Sequence, residues 1–134
     1  MITNSVEETI QAGRAFAERL DEGSAVLLYG EMGAGKTHFV KGMALGLGID
    51  SIITSPTFAI VNDYGRLIHF DLFRIHSHDD LYAMGFHDYI GKAVLAIEWA
   101  ENIPQIEKEF DKCYKVRIEK IDENNSNTRK IPGT

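Results

Sequence analysis

The stretch "GEMGAGKT", Gly30–Thr37, follows directly on the apolar run "AVLLY", Ala25–Tyr29, and that junction decides the fold. Gly30-x-x-x-x-Gly35-Lys36-Thr37 is a complete Walker A pattern. Its glycines let backbone N–H groups turn inward and approach phosphate oxygens with no Cβ in the way. Nucleotide contacts are expected from Glu31, Met32, Gly33, Ala34, Gly35, Lys36 and Thr37. Lys36 places a point charge on the β- and γ-phosphates, and the Thr37 hydroxyl binds Mg²⁺. A helix beginning inside the motif, "KTHFVKGMALGLG", turns its positive N-terminus toward the anion.

A phosphate loop needs a second acid for its metal, normally at the end of a buried strand beside the loop strand. "AVLAIEW" (93–99) is the other short apolar run of this kind, and it closes on Glu98. A carboxylate there is costly unless it faces a cation. The competing reading is a strand-end acid in a surface ion pair.

The remaining elements fall around these two strands. "NSVEETIQAGRAFAERL" opens with Ser5 and Glu8 at capping-box spacing. Val6, Ile10, Gly13, Ala17 and Leu20 then recur at helical steps, as one helical face. "FAIVNDYGRLIHFDLF" predicts two strands, about 58–62 and 66–70, around an Asn-Asp-Tyr-Gly turn. "HDDLYAMGFHDYI" is helical with a break at Gly85. Pro104 starts a short polar helix. "CYKVRIEKI" (113–121) alternates as one half-exposed strand, with Val116 and Ile118 on its inner face. "DENNSNT" reads as a turn, and "RKI" as a last short strand. Strands alternating with helices imply an α/β fold with a parallel or mixed sheet.

At 134 residues the chain is expected to be one domain, residues 1–134. The apolar fraction of 44% is ordinary for a globular protein. No apolar run approaches the about 18 residues a membrane span needs. The polar, acidic N-terminus has no secretory pattern. The single Cys113 allows no internal disulfide and reads as a small filler in a strand. A reducing cytoplasm is the expected compartment. Net charge is −6, and residues 1–104 carry 7 Lys and Arg against 14 Asp and Glu. Such a surface does not displace counterions from a nucleic acid backbone. Any tRNA contact is therefore expected through another protein, and no DNA or membrane partner is expected.

With the phosphate loop, three further motifs stand in order: "SPTF" (Ser55–Phe58), "HFDLFR" (His69–Arg74) and "EW" (Glu98-Trp99). This ordered set resembles the TsaE (YjeE) family, bacterial ATPases needed for threonylcarbamoyladenosine in tRNA, from about Thr9 to Glu101. The resemblance implies a P-loop NTPase-like α/β fold with a mixed, mainly parallel sheet flanked by helices. It also implies ATP or ADP bound with Mg²⁺, and association with TsaB and TsaD. Those two transfer the threonylcarbamoyl group to adenosine 37 of tRNAs reading codons that begin with A. The energy of hydrolysis would then go to a protein assembly, so no second small substrate need fit in this chain.

By the same resemblance, Lys36, Thr57 and Asp71 are the catalytic residues, and Thr37 and Glu98 are the metal residues. Ser55-Pro56-Thr57 matches a switch segment, with Thr57 toward the metal and γ-phosphate. Asp71 lies near the γ-phosphate, and Trp99 matches the tryptophan after the acid. Phe73 stands where Tyr is usual.

Other readings remain open at this point. Asp71 is a water- or metal-positioning acid, or a cap to the next segment. His69 holds Asp71 or an arginine, or is a satisfied partly buried histidine. Arg74 neutralises γ-phosphate charge, or pairs with Asp79 or Asp80, the favoured choice. His76, His78 and His87 are expected at the surface, without metal-ligand spacing. A small-molecule kinase on the same fold would need an arginine-bearing lid, and only Arg66 and Arg74 lie between Thr57 and Glu98. A nucleotide-dependent binding module without turnover is the other alternative.

Overall fold

The computed structural model describes residues 2–3, 5–30, 35–50, 53, 61–122 and 125–130. Its centre is a five-stranded sheet in the order β3-β4-β5-β2-β6. These strands are Val61–Asp63 (β3), Leu67–Asp71 (β4), Val94–Glu98 (β5), Ala25–Tyr29 (β2) and Cys113–Arg117 (β6). β4, β5, β2 and β6 run parallel, and β3 pairs antiparallel with β4. The expected α/β fold with a mixed, mainly parallel sheet is therefore the one that forms. Both apolar runs, Ala25–Tyr29 and Val94–Glu98, became adjacent central strands, as their near-continuous hydrophobicity requires of strands covered on both faces.

Two cores cover the sheet. On one face Val26, Leu28, Leu67, Val94, Ala96 and Val116 meet helices α1 (Val6–Ala17) and α2 (Lys36–Gly46). On the other, Leu27, Ile68, Phe70, Leu95 and Ile97 meet Leu81 of α3 (His78–Ala83) and Phe86 of the 3₁₀ turn Phe86–Tyr89. Gly85, between these two segments, has φ 82°, which accounts for the break anticipated there. Among the described residues no helix is long and apolar enough to cross a membrane.

Helix α1 starts as its sequence signals: the Ser5 hydroxyl accepts from the Glu8 N–H at 3.1 Å. Its buried face, however, is Thr9, Ala12, Gly13, Phe16 and Ala17. Of the expected face Gly13 and Ala17 are buried and Leu20 packs against the core, whereas Val6 is exposed. Phe16 decides the rotation, because burying its ring against Phe39 (centroids 5.8 Å apart) outweighs burying Val6, which stays 38% exposed.

The seam between α1 and α2 is set by backbone. A Cβ on Gly13 would collide with the Phe39 carbonyl, and one on Gly42 with the Ile10 carbonyl. The two helices can lie this close only because both positions lack a side chain.

The C-terminal region differs most from expectation. Residues 113–121 are not one strand. β6 ends at Arg117, and β7 (Glu119–Asp122) joins a second sheet with β8 (Asn125–Lys130) and β1 (Ile2–Thr3), in the order β1-β8-β7. Asn125 begins β8, so the turn anticipated over 122–128 is shorter. The switch happens at Ile118, whose N–H still donates to the Tyr29 carbonyl at 2.9 Å. The helix expected from Pro104 is a 3₁₀ turn at Ile106–Glu109. The first expected strand of the 58–70 hairpin begins at Val61, and residues 58–60 lie outside the described residues.

Replacing Gly42 with Ala should lower stability by about 1–3 kcal/mol, since the added methyl meets backbone that cannot swing aside. Urea unfolding measures this. An unchanged midpoint would show that the two helices separate freely.

Candidate functional site

Period-2 alternation assembles the site. In β5, Val94, Ala96 and Glu98 share the face covered by α1 and α2. In β4, Leu67, His69 and Asp71 share it too. The parallel register places Asp71 beside Glu98 and His69 beside Ala96. His69 is thus a diagonal neighbour of Glu98, one step deeper in the sheet. On the other side β5 pairs with β2, with Leu28 opposite Glu98, and α2 begins shortly after β2 ends. Asp71 and Glu98 close their strands, at the carboxyl ends of the parallel sheet where open α/β sheets bind ligands.

Lys36 is the first residue of α2, preceded by Gly35 in the left-handed region at φ 105°. Its side chain is buried. Nζ lies 3.9 Å from Glu98 Oε1 and 4.8 Å from the centre of the Trp99 ring. The other carboxylate oxygen, Oε2, accepts from His69 Nε2–H at 2.6 Å. Glu98 is 6% exposed and His69 0%. The competing reading of a surface ion pair is therefore excluded: Glu98 is a buried carboxylate held between two basic side chains. Of the two open readings of His69, neither a hold on Asp71 or an arginine nor a partly buried histidine describes it: it is wholly buried and holds Glu98.

Asp71 is half-buried. Its Oδ1 accepts from the Phe73 N–H at 2.9 Å, so it does cap the following turn. Burial pushes its carboxyl above the ordinary value, and the nearby Glu98 charge pushes the same way. The Phe73 N–H, then His69 and Lys36, pull it partly back. Asn102 fixes the chain after Asp71, donating to the Leu72 carbonyl at 2.9 Å and the Phe73 carbonyl at 3.2 Å. Sequence reasoning missed Asn102, and no local pattern marks it.

Trp99 leaves the strand with φ 60°, a left-handed conformation that costs a non-glycine residue about 1–2 kcal/mol. Its ring meets Phe73 edge-on at 5.1 Å, and Phe73 is half exposed. Arg74 is exposed, and among the described residues it forms no ion pair with Asp79 or Asp80. Those two acids sit instead in the first turn of α3, where the helix dipole favours them. His78 Nε2 bonds the Pro104 carbonyl at 2.9 Å, and His87 pairs with Glu109 at 3.0 Å, so only His76 is a plain surface histidine.

Thr37, the second residue of α2, is half-buried on the helix whose first residue contacts Glu98. A hydroxyl and a carboxylate form a hard-oxygen set suited to Mg²⁺, which takes one or two protein oxygens and completes its shell with water and phosphate. Among the described residues no three His, Cys, Asp or Glu are grouped so as to hold a metal ion by themselves. Glu31, Met32, Gly33 and Ala34 of the loop, and Ser55 to Phe58 with Thr57, lie outside the described residues.

A sequence model of one family, described as "Threonylcarbamoyl adenosine biosynthesis protein TsaE", matches residues 3–131. The chain belongs to the TsaE family. A relative from Treponema pallidum, named tRNA threonylcarbamoyladenosine biosynthesis protein TsaE, is 40% identical over 121 residues, covering 87% of this chain and 90% of its own. One of the same name from Aquifex aeolicus is 36% identical over 135 residues, 96% of this chain and 92% of its own. The crystal structure of YdiB from Bacillus subtilis superimposes with a TM-score of 0.76 at 30% identity, over 98% of this chain and 80% of that one. TsaE is thus the family whose ordered motifs the sequence carries.

The raised Asp71 carboxyl has a sign that can be checked. The folded protein keeps this proton at pH values where the unfolded chain has released it. Ionised Asp71 therefore opposes folding. The penalty is absent below the ordinary value, grows as pH rises through the window between the ordinary and raised values, and is full above it. Asp71→Asn should be more stable than the parent at pH about 7, with the advantage vanishing near pH about 3. Denaturant unfolding at the two pH values reads this. An equal difference at both would show that the substitution acts through packing alone.

Proposed function

We propose that this chain is a Mg²⁺-dependent ATPase that serves tRNA threonylcarbamoyladenosine formation by acting on a TsaB–TsaD complex in the cytoplasm. The observation that carries the reading is the buried Lys36–Glu98 pair at the start of α2, with Asp71 in register beside it. A lysine buried at a helix start, 3.9 Å from its carboxylate, is placed to exchange that partner for a phosphate oxygen.

In this reading Lys36 binds the β- and γ-phosphates and neutralises charge that builds on them. Thr37 and Glu98 hold Mg²⁺, directly or through water. When bound, the ion screens the phosphate charges and polarises the bond to be broken. Asp71, half-buried with one oxygen committed to Phe73, keeps its other oxygen to orient the attacking water. Thr57 senses the γ-phosphate from the Ser55–Phe58 segment. The main-chain groups of Glu31, Met32, Gly33, Ala34 and Gly35 cradle the phosphates.

The TsaB–TsaD partnership rests on the family resemblance. The acidic balance of residues 1–104 supports tRNA contact through that complex and not by this chain alone. Nucleotide state would then act on the partner through segments next to the γ-phosphate.

Two measurements test the reading. Lys36→Ala should weaken ATP by about tenfold or more, as expected for a lost charge-assisted contact of about 1.5–3 kcal/mol, and weaken AMP far less. Calorimetry that gives parental ATP affinity would remove the phosphate-loop reading. Asp71→Ala should bind ADP almost as the parent does, yet lose phosphate release and multiple-turnover modification in a mixture of TsaB, TsaD, threonylcarbamoyl-adenylate and tRNA. Full turnover by this variant, or tight tRNA binding by the chain alone at physiological salt, would overturn the coupled-ATPase reading.

A further inference from the structure

We propose that His69 is a positioning residue: it clamps Glu98 Oε2 so that Oε1 alone faces the phosphate-loop helix. The inference rests on the reading of Glu98 as a metal acid, and extends it to a residue that touches neither metal nor nucleotide.

The first argument is the cost of the histidine itself. His69 is wholly buried in the middle of β4, on a face where Leu67, Val94 and Ala96 are aliphatic and Asp71 and Glu98 close the strands. An aliphatic side chain would satisfy packing there without a polar group to compensate. The imidazole makes one hydrogen bond, to Glu98, and among the described residues Nδ1 has no partner. Among the described residues its one polar commitment is therefore to the carboxylate.

The second argument is orientation. A glutamate carboxylate turns easily about its last torsion. With both oxygens free, Glu98 would present either or both of them to the Lys36 ammonium. A bidentate grip of that kind would compete with phosphate for the lysine and turn the carboxylate away from the ion. The 2.6 Å bond to Oε2 removes this freedom. Lys36 is left with the longer 3.9 Å contact to Oε1 and with the Trp99 ring. That grip is loose enough for the lysine to leave while the carboxylate stays aimed.

The test uses the full chain and its single tryptophan, Trp99, which lies against Lys36 and gives an intrinsic fluorescence signal. Mg²⁺ is titrated into protein saturated with a non-hydrolysable ATP analogue. His69→Leu keeps roughly the volume and loses the donor. His69→Gln returns an N–H near the Nε2 position. His69→Leu should raise the Mg²⁺ midpoint by about tenfold or more, while affinity for the metal-free nucleotide stays within about twofold; Gln should recover most of the loss. His69→Asn, whose shorter amide stops short of Glu98, carries the same expectation as Leu and serves where Leu does not fold.

A parental midpoint in the Leu or Asn variant overturns the clamp. So do equal shifts in Leu and Gln, because rescue by the amide is what a purely structural role would not give. Glu98→Gln separates the layers of the argument. If it shifts the midpoint and the His69 variants do not, the clamp alone fails. If Glu98→Gln leaves the midpoint unchanged, the metal reading of Glu98 fails and the clamp falls with it.

Discussion

A carboxylate withdrawn from water must be met by charge or hydrogen bonds, and in this protein Glu98 is met from both sides. Removing an ion from water carries an effective penalty of several kcal/mol, which one distant partner does not offset. Lys36 approaches from α2, beyond β2, and His69 from β4. Strands β4 and β5 and helix α2 are thereby tied at one point by side chains, while β5 and β2 are joined by their ladder. Asp71, next in register, is pushed up first by its own burial, and the neighbouring Glu98 charge adds to that rise.

The lysine can serve this arrangement because its helix is seated rigidly. Gly13 and Gly42 bring the α1 and α2 backbones into direct contact, so α2 has little room to slide along the sheet. Gly30 performs a related task at the other end of the loop. It has φ 138°, and a Cβ there would collide with the Ile118 carbonyl. This glycine is required by the neighbouring strand as well as by any phosphate. A change of partner by Lys36 is then a rotation of one side chain on a fixed base, and no helix movement is needed.

The legible part of the chain was the part whose signals are local. Ala25–Tyr29 before the glycines, Ser5 with Glu8, Gly85 in the helix and Glu98 closing an apolar run each announce themselves within a few residues, and each stands where expected. The illegible part depends on pairing. Nothing near His69 says that β4 lies beside β5, so its diagonal contact with Glu98 cannot be read from its own neighbours. The same is true of Asn102 and the carbonyls of Leu72 and Phe73. The alternation of 113–121 is continuous in sequence, yet the strand changes sheets at Ile118. Val6 and Ile10 have the spacing of a buried stripe, and Phe16 prevails by size. Composition suggested an ion pair for Arg74 because Asp79 and Asp80 are near, whereas the start of α3 had already taken both acids.

Trp99 shows how strain and contact balance at the edge of the site. Its left-handed turn costs about 1–2 kcal/mol. The ammonium of Lys36 over its ring returns about 0.5–2 kcal/mol, depending on how dry the contact is. Lysine alone therefore does not secure the turn. The edge contact with Phe73 adds about 0.5–1.5 kcal/mol. The Asn102 N–H, donating to the Trp99 carbonyl at 3.1 Å, closes the turn through backbone. Neither of those two contacts involves Lys36, so both would persist if the lysine took another anion. The ring then keeps its place while its electrostatic surroundings change, which is why Trp99 can report on the lysine without being displaced by it. It also explains what an aromatic residue must do at position 73. Phe73 lacks the hydroxyl of the usual tyrosine, but the edge-on contact needs only the ring, and the ring is what braces Trp99.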